Sequence, residues 1–466
     1  MNDTHTSMSI VDSYPPHLNS TQKVGLALGT LSFLVLVLAF VGVDLTPRGM
    51  WLTLSLLGIG IGVFVYSRGA YLHHPEGIKN NGVWFSSTSA RGAIGWILGV
   101  IMTAFYVLLY WYPQYLGLGS EGQNFGLVAL FDPLSQLLKG KPASQWFVYG
   151  TLYTVAILAF GYKFILKYKH NRYQILRTIS VIFFQLGFAF LLPEILEGLK
   201  SDAPYFAKDM KNMWPLNYYF FEDWHLNNML DGGNLGMLML VWGILMILVI
   251  SPILTYFYGK RWYCSWVCGC GGLAETAGDP FRHLSDKSLR AWKIERWLIH
   301  SVLVFVVITT AMVLYTYFTR NSTVLGLNSY NVRGWYGFLI GAAFSGVIGV
   351  GFYPIMGSRV WCRFGCPMAA ILGIQQKFFS RFRITTNGGQ CISCGNCSTY
   401  CEMGIDVRHY AQRGQNIVRA SCVGCGICAA VCPRGVLKLE NGSVDLHSKT
   451  EDLRTIHISA DSVTLL

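Results

Sequence analysis

The stretch CISCGNCSTYC at 391–401 and its echo CVGCGICAAVCP at 422–433 decide how the C-terminal part of this chain folds. Both follow one spacing, C-x2-C-x2-C-x3-C: Cys391, Cys394, Cys397 and Cys401, then Cys422, Cys425, Cys428 and Cys432, with Pro433 after the last. Cysteines that staple a small fold are scattered among distant loops, whereas metal-binding cysteines crowd at short fixed intervals. Of the 13 cysteines none precedes Cys264 and eight fall within 391–432, so the grouping is that of metal ligands, kept as thiolates on a reducing side.

In such runs three close thiolates wrap one cluster and the fourth reaches across to the other. The rule predicts two [4Fe–4S] clusters, one on Cys391, Cys394, Cys397 and Cys432, the other on Cys422, Cys425, Cys428 and Cys401. Gly395, Gly424 and Gly426 suit a backbone that folds tightly and turns its N–H groups toward sulfur. A pair of zinc sites would call for C-x2-C pairs, not two matching runs of four. The segment 388–440 resembles a bacterial-type two-cluster ferredoxin, a fold of two pseudo-symmetric halves. It is unusually basic: Arg408, Arg413, Arg419, Arg434 and Lys438 stand against Glu402, Asp406 and Glu440, with Lys377, Arg381 and Arg383 ahead of it. Such a face is expected to dock an acidic soluble electron carrier or to lie against anionic membrane lipid.

Upstream, the composition changes the solvent. Only 13% of the 466 residues are charged and 52% are hydrophobic, where a soluble domain carries about 25% charged residues. Segments 24–43, 49–67, 92–112, 146–164, 177–196, 234–257, 297–318 and 335–354 are each apolar over the length a bilayer requires, about 20 residues. The first follows a polar tail and precedes no small-residue cleavage site, which reads as a retained helix. The formal charge of +12 belongs to loops: Arg68, Lys79 and Arg91, then Lys167, Lys169 and Arg172, then Lys260 to Arg296 on one side, against the acidic 197–233 connection on the other. By the positive-inside rule the basic loops, both termini and the clusters face the cytoplasm. No basic module of a nucleic-acid binder is visible, so no nucleic-acid partner is expected. The aromatic run Trp214 to Trp224 reads as a belt at headgroup level. The hydrophobic cores of the spans are read as holding almost no ionisable residue, His300 near an inner end being the exception, which argues against ion translocation by this chain alone. Haem ligation would need His73 or His74, beside Pro75, to meet His300.

Five more cysteines sit where spans end. GKRWYCSWVCGC at 259–270 aligns with GSRVWCRFGCP at 357–367, matching Gly259 to Gly357, Arg261 to Arg359, Cys264 to Cys362 and Cys268 to Cys366. A helical unit is therefore duplicated. If the stretch stays helical, cysteines four apart share a face, and two such pairs offer four thiolates to one centre. A metal, a cluster, a transient redox pair or helix-end thiols all fit that pattern. Cys270 would point elsewhere and could stand in for Cys268 only where the chain unwinds.

Two C-x3-C motifs on a multi-span bundle, followed by two ferredoxin-type runs, look like the NapH/NosR family of membrane ferredoxin-type proteins, over roughly 234–440. Cys362 to Pro367 matches the family motif; the first copy has Gly269 in place of Pro and the added Cys270. The flavin-attachment motif of the NosR branch is not found, the residues after 440 leave no room for the appended domain of CcoG-type relatives, and residues 1–233 match none of these branches.

The resemblance implies electron passage between the quinone/quinol pool and respiratory reductase subunits. The alternatives are a redox maturation factor for a respiratory metalloenzyme and a non-catalytic cluster-bearing anchor. The expected fold class is an α-helical polytopic membrane protein of about eight transmembrane helices with a C-terminal α+β two-cluster ferredoxin-like domain. Its expected parts are a cytoplasmic tail 1–23, five helices in 24–233, the duplicated three-helix unit 234–387, the ferredoxin-like domain 388–440 and a tail 441–466.

Overall fold

The computed structural model describes residues 18–73, 91–120, 123–199, 208–210, 213–442, 456–458 and 463–465. Among these residues, seven helices are long and apolar enough to cross a membrane: α1 Ser20–Phe40, α2 Arg48–Tyr71, α3 Ala93–Trp111, α4 Gln145–Lys167, α5 Arg172–Leu199, α6 Gly233–Tyr258 and, after the short α7 Gly269–Thr276, α8 Leu289–Thr319. The chain is a multi-pass, mostly helical membrane protein. Local chemistry starts the helices. Asn19 closes a capping box with Gln22 on α1, and Ser144, Asn171 and Ser288 accept N–H bonds at the starts of α4, α5 and α8.

The eighth expected span differs from its prediction. It begins earlier, as α9 Ser329–Tyr336, and continues with wide i→i+5 turns over Gly337–Ile348 before the chain turns at 349–352. Its first turns are polar because Arg333 is paired with the buried Glu222 at 3.0 Å, so it does not rank with the seven by apolarity. It still returns alongside α8. The hairpin of β1 Thr323–Val324 and β2 Leu327–Asn328 reverses the chain, Thr316 and Ser329 hydroxyls bond at 2.7 Å, and Tyr336 packs against Val302, Val306 and Phe305.

The aromatic run at 214–224 is folded inward, not laid out as a belt. Trp214 donates to Thr310, Tyr218 stacks on Tyr336, and Phe220 is wholly buried with its carbonyl on His225. His300 is exposed, with its Nδ1 on the Arg296 carbonyl and no second histidine in the cavity it lines; His74 and Pro75 lie outside the described residues.

The α1–α2 pair packs backbone against backbone through Gly25 and Gly29 on one helix and Gly58 and Gly62 on the other. A Cβ at Gly62 would come within 2.6 Å of the Gly29 nitrogen and 2.8 Å of the Gly25 carbonyl oxygen. Without a hydrophobic force between helices in lipid, such small-residue stripes let the backbones pack.

Beyond α10 Pro367–Phe379 the chain forms the ferredoxin-like unit. Strand β3 Arg383–Thr386 pairs antiparallel with β4 Leu437–Glu440, Ile384 bridges to Ile417, and short helices α11 Asn396–Thr399, α12 Val407–Gln412 and α13 Ile427–Ala430 fill the interval. Its apolar core is continuous with the bundle: Ile384, Ile405 and Val423 share a cluster with Tyr263, Met368 and Leu372. Of the tail, only the short pair β5 Ile456–Ile458 and β6 Val463–Leu465 is described.

Replacing Gly62 with Leu is expected to cost roughly 1–3 kcal/mol through overpacking. Thermal unfolding in detergent should show a lowered midpoint, with cluster absorbance intact below the transition.

Candidate metal centres

The two ferredoxin-type runs fold into matching shapes. Gly395 (φ +80°) and Gly426 (φ +75°) both adopt the left-handed conformation and open α11 and α13, so each Cys-Gly-x-Cys turns its thiols to the same side. Cys391, Cys394, Cys397 and Cys432 line one recess, with Pro433 and Arg408 at its wall. Cys401, Cys422, Cys425 and Cys428 line another, closed by Ile384, Ile405, Ile417 and Val423. In both, three thiols come from one run and the fourth from the other.

The donor sets fit iron–sulfur clusters. Burial, and then the neighbouring thiols, push Cys397 up to about 11; burial pushes Cys425 up to about 12, with the Glu402 carboxylate adding to it. A cationic iron core that takes the thiolates relieves this crowding. Backbone N–H groups are already aimed at sulfur, from Ser398 to Cys397, Gly424 to Cys422, Ile427 to Cys425 and Ile405 to Cys401.

The two recesses sit differently. Cys394 is exposed, and the first recess faces outward. The second is pressed onto the bundle, where four consecutive carbonyls are capped by its side chains. Gln376 donates to Cys422, Ser265 to Val423, Tyr173 to Gly424 and Gln174 to Cys425, all at 2.7–2.8 Å. With its carbonyls held outward, the loop keeps its N–H groups for sulfur.

The duplicated thiol pairs converge. Gly259 (φ +65°, ψ −176°) and Gly357 (φ +95°, ψ 170°) share one conformation that is essentially restricted to glycine, and each ends a helix just ahead of its motif. The expectation that each pair lies on one helical face fails. The helix of the first copy stops at Cys264, that of the second loosens into wide turns over Trp361–Gly365, and Cys268 (ψ 122°) and Cys366 (ψ 113°) are extended N-caps of α7 and α10. Chain reversal, not helical periodicity, brings the thiols together. Burial pushes Cys264 and Cys362 up to about 11, with Cys268 contributing to both, and Cys366 is raised by burial and then by Cys362, Cys264 and Cys268.

Cys270 does not point away either. It lies in the first turn of α7, hydrogen-bonded to the Cys268 thiol and to Tyr153, and these bonds hold it below the ordinary thiol range against the opposing effect of burial. Cys270 is an exposed residue of the bundle's end, and Tyr153 and Gln185 lie beside its neighbour Gly269.

Sequence reasoning missed what lies between the thiol groups. Lys163, Lys167 and Arg177, at the cysteine end of α4 and α5, are buried, so these spans are not almost free of ionisable groups. Lys167 and Arg177 belong to a fully buried chain of ion pairs, with Lys163 acting on its Asp279. Lys167 meets Asp279 at 2.6 Å, Asp279 meets Arg282 at 3.2 Å, and Arg282 meets Glu402 at 3.0 Å. Arg359 joins Glu402 (3.0 Å) to Glu275, and Glu275 also takes Arg177. Arg359 further donates to the Cys264 carbonyl at 3.1 Å and lies 3.7 Å from the Cys362 sulfur. The Glu275 and Glu402 carboxylates and the Cys425 sulfur lie within 4.8 Å of one another. Every charge has a partner, which makes this a clamp and not an open ion path. The only sequence signal was the pairing of Arg359 with Arg261, and it misled: Arg261 stacks on Phe382 at 4.5 Å instead.

Fold and sites together define a multi-pass membrane iron–sulfur protein of the ferredoxin type, with two [4Fe–4S] clusters, whose chemistry is one-electron transfer. A family model described as a 4Fe-4S dicluster domain matches residues 390–437, and one described as a 4Fe-4S binding domain matches twice, at 240–288 and 337–385, one copy for each C-x3-C unit. Over 171 residues the chain is 26% identical to YccM of Escherichia coli (strain K12), a protein provisionally named for electron transport; the match covers 35% of this chain and 47% of YccM, about half its length. No solved structure matches the chain.

Glu402→Gln strips the shared carboxylate from Arg282 and Arg359 and is expected to cost roughly 3–5 kcal/mol. Thermal unfolding measures the loss, and EPR should show the cluster signal beside Cys425 reduced more than the outward one. The pH dependence has a definite sign. Burial alone would raise Asp279, but Lys167, Arg282 and Lys163 bring it down to about 2 from 3.8. Its stabilisation is therefore complete above pH 4 and fades as pH falls from about 4 to 2. Asp279→Asn should abolish that component of acid-induced unfolding.

Proposed function

We infer that this chain exchanges electrons between a quinone or quinol in the membrane and a redox partner at its cluster-bearing end. We further infer that Cys264, Cys268, Cys362 and Cys366, with Cys270 beside them, hold a third metal or iron–sulfur centre. The cluster ligands in this reading are Cys391, Cys394, Cys397 and Cys432 for the outward recess and Cys401, Cys422, Cys425 and Cys428 for the inner one. When bound, these groups supply one-electron donor and acceptor sites. The observation that carries the reading is the order of the three thiol groups: one inside the bundle's end, one capped by bundle side chains, and one with Cys394 at the surface.

The description of the doubly matching family model as 4Fe-4S binding, and its fall on both C-x3-C units, supports a cluster at the bundle thiols. For the quinone, support comes from the wall around Cys270. Tyr153 bonds the Cys270 sulfur, the Tyr106 hydroxyl bonds that of Tyr149 at 3.3 Å, and Gln185 lies beside Gly269. Phenol and amide donors next to a redox-active thiol group suit the carbonyl oxygens of a quinone headgroup. For the partner, Arg408, Arg413, Arg434 and Lys438 are exposed while Glu402 is buried, so the outer face is strongly basic and fits an acidic carrier or a reductase subunit. The Lys- and Arg-rich loops at the same end support the reading that it faces the cytoplasm from the cytoplasmic membrane.

Iron and sulfide analysis of the purified protein tests the third centre. Two clusters account for about eight irons, and the proposal requires a clear excess that Cys362→Ala removes. Anaerobic addition of a menaquinol analogue should bleach the cluster absorbance, and Tyr153→Phe should slow that reaction several-fold. Eight irons in both proteins would remove the third centre, and an unbleached spectrum would remove the quinol.

A further inference from the structure

Between α8, α10 and the ferredoxin-like unit lies a cavity of about 400 Å³ that reaches Cys362 at its inner end and is otherwise lined by residues that supply no cluster ligand. Its charge is one-sided. Lys260, Arg296, Lys377 and Arg419 line it, and among the described residues none of them forms an ion pair. Its one acid, Glu295, is taken by Arg363 at 2.7 Å. Arg363 is itself 3% exposed, and although it also donates to the Asp286 carbonyl, its Nη2 has no protein partner. Lys260 is 1% exposed. Lys260 acts on the Cys264 and Cys422 thiols, whereas Arg296, Lys377, Arg419 and the free Nη2 of Arg363 find no counter-charge on this wall among the described residues, so the arrangement calls for an anion.

The guanidinium groups are held in place. Trp292 is flanked by Arg419 at 4.7 Å and Arg296 at 5.2 Å, so both planar forks are stacked on one ring. A planar fork offers paired N–H donors to phosphate oxygens, and stacking lowers the entropy lost when it binds. The rim has the opposite character. Phe378 on the cavity wall is 68% exposed, and its neighbour Phe379 and the neighbour of Arg296, Trp297, are 68% and 79% exposed. A helix end that bares large apolar side chains next to arginines sits where acyl chains meet headgroups.

We propose that this cavity binds a phosphate group, carried in the membrane by an anionic phospholipid whose acyl chains lie along Trp297, Phe378 and Phe379. The ligand bridges α8, α10 and the 418–421 segment just ahead of Cys422, and so ties the ferredoxin-like unit to the bundle from the side opposite the Tyr173 and Gln174 contacts. This reading does not rest on the quinone, and although Cys362 lies at the cavity's inner end, the arginines that would hold the phosphate are not ligands of any cluster or third centre.

Native mass spectrometry of the full chain in detergent, with iron content as the folding check, tests it. Dioleoylphosphatidylglycerol should be retained in preference to dioleoylphosphatidylcholine, and Arg296→Gln with Arg419→Gln should weaken that retention roughly tenfold, the loss of about 1.4 kcal/mol from charged hydrogen bonds. Arg296→Lys with Arg419→Lys should retain most of it. Arg413→Gln with Lys438→Gln, which removes the same charge from the outer face, should leave it unchanged. A second arm titrates the delipidated protein with inorganic phosphate. Saturable binding that the Arg296/Arg419 glutamine pair abolishes supports the phosphate site and names a soluble anion as a competent occupant. Equal phosphatidylglycerol retention by wild type and the glutamine pair, or an equal loss in the outer-face control, overturns the proposal.

Discussion

The Arg359 guanidinium is the constraint on which the rest of the structure depends. It is 1% exposed and spans Glu275 and Glu402 while touching the Cys264 carbonyl and the Cys362 sulfur. A charge buried this deeply persists only if every neighbour is placed to compensate it. Glu275 is held on α7 and Glu402 in the ferredoxin-like unit, and each carboxylate is shared with a second arginine, Arg177 and Arg282 respectively. Moving any one element leaves an uncompensated buried charge. The ion chain thereby locks bundle and cluster-bearing unit into one arrangement, in a region too polar for apolar packing to do so.

That lock has an electrostatic consequence for the thiols. Each group must ionise to bind iron, and burial works against ionisation at Cys264, Cys362, Cys422 and Cys425 alike. Arg359 works in the opposite direction at Cys264 and Cys362, and Arg282 and Arg177 at Cys425. The same cations that compensate Glu275 and Glu402 therefore favour the thiolate form next door. They also set a fixed positive field between the bundle thiols and the inner cluster site, and a cluster's potential depends on nearby charge and hydrogen bonding. The capped carbonyls of residues 422–425 add to this, since they leave the backbone donors pointing at sulfur.

The duplication explains why so few residues suffice. The two copies repeat a glycine conformation, a helix end and an N-capping cysteine, as shown by the near-identical torsions of Gly259 and Gly357 and of Cys268 and Cys366. Beyond that the copies diverge. Arg359 went inward to the ion chain, whereas Arg261 stacks on Phe382 and reaches Asn441 at the periphery. Pro367 starts α10 with a rigid first residue, and the first copy places Gly269 there, where a Cβ would run into the Gln185 amide oxygen.

By itself the sequence determined the membrane class, from a scarcity of charge that water would not tolerate, and the two cluster-binding runs, because thiolate spacing is a local property that survives without coordinates. It also determined the duplication, for the same reason. It misplaced the eighth helix by a few residues, since Arg333 counts against apolarity until Glu222 is seen beside it. It could not reveal that Cys268 and Cys366 leave their helices, that Cys270 bonds Cys268 and Tyr153, or that Arg419 turns from the outer face to stack on Trp292. Only the tertiary structure decided these, and above all the ion chain from Lys167 to Arg177. Its members come from four helical segments, the turn that carries Arg359 and a ferredoxin loop, and a buried charge makes sense only through partners far away in the sequence.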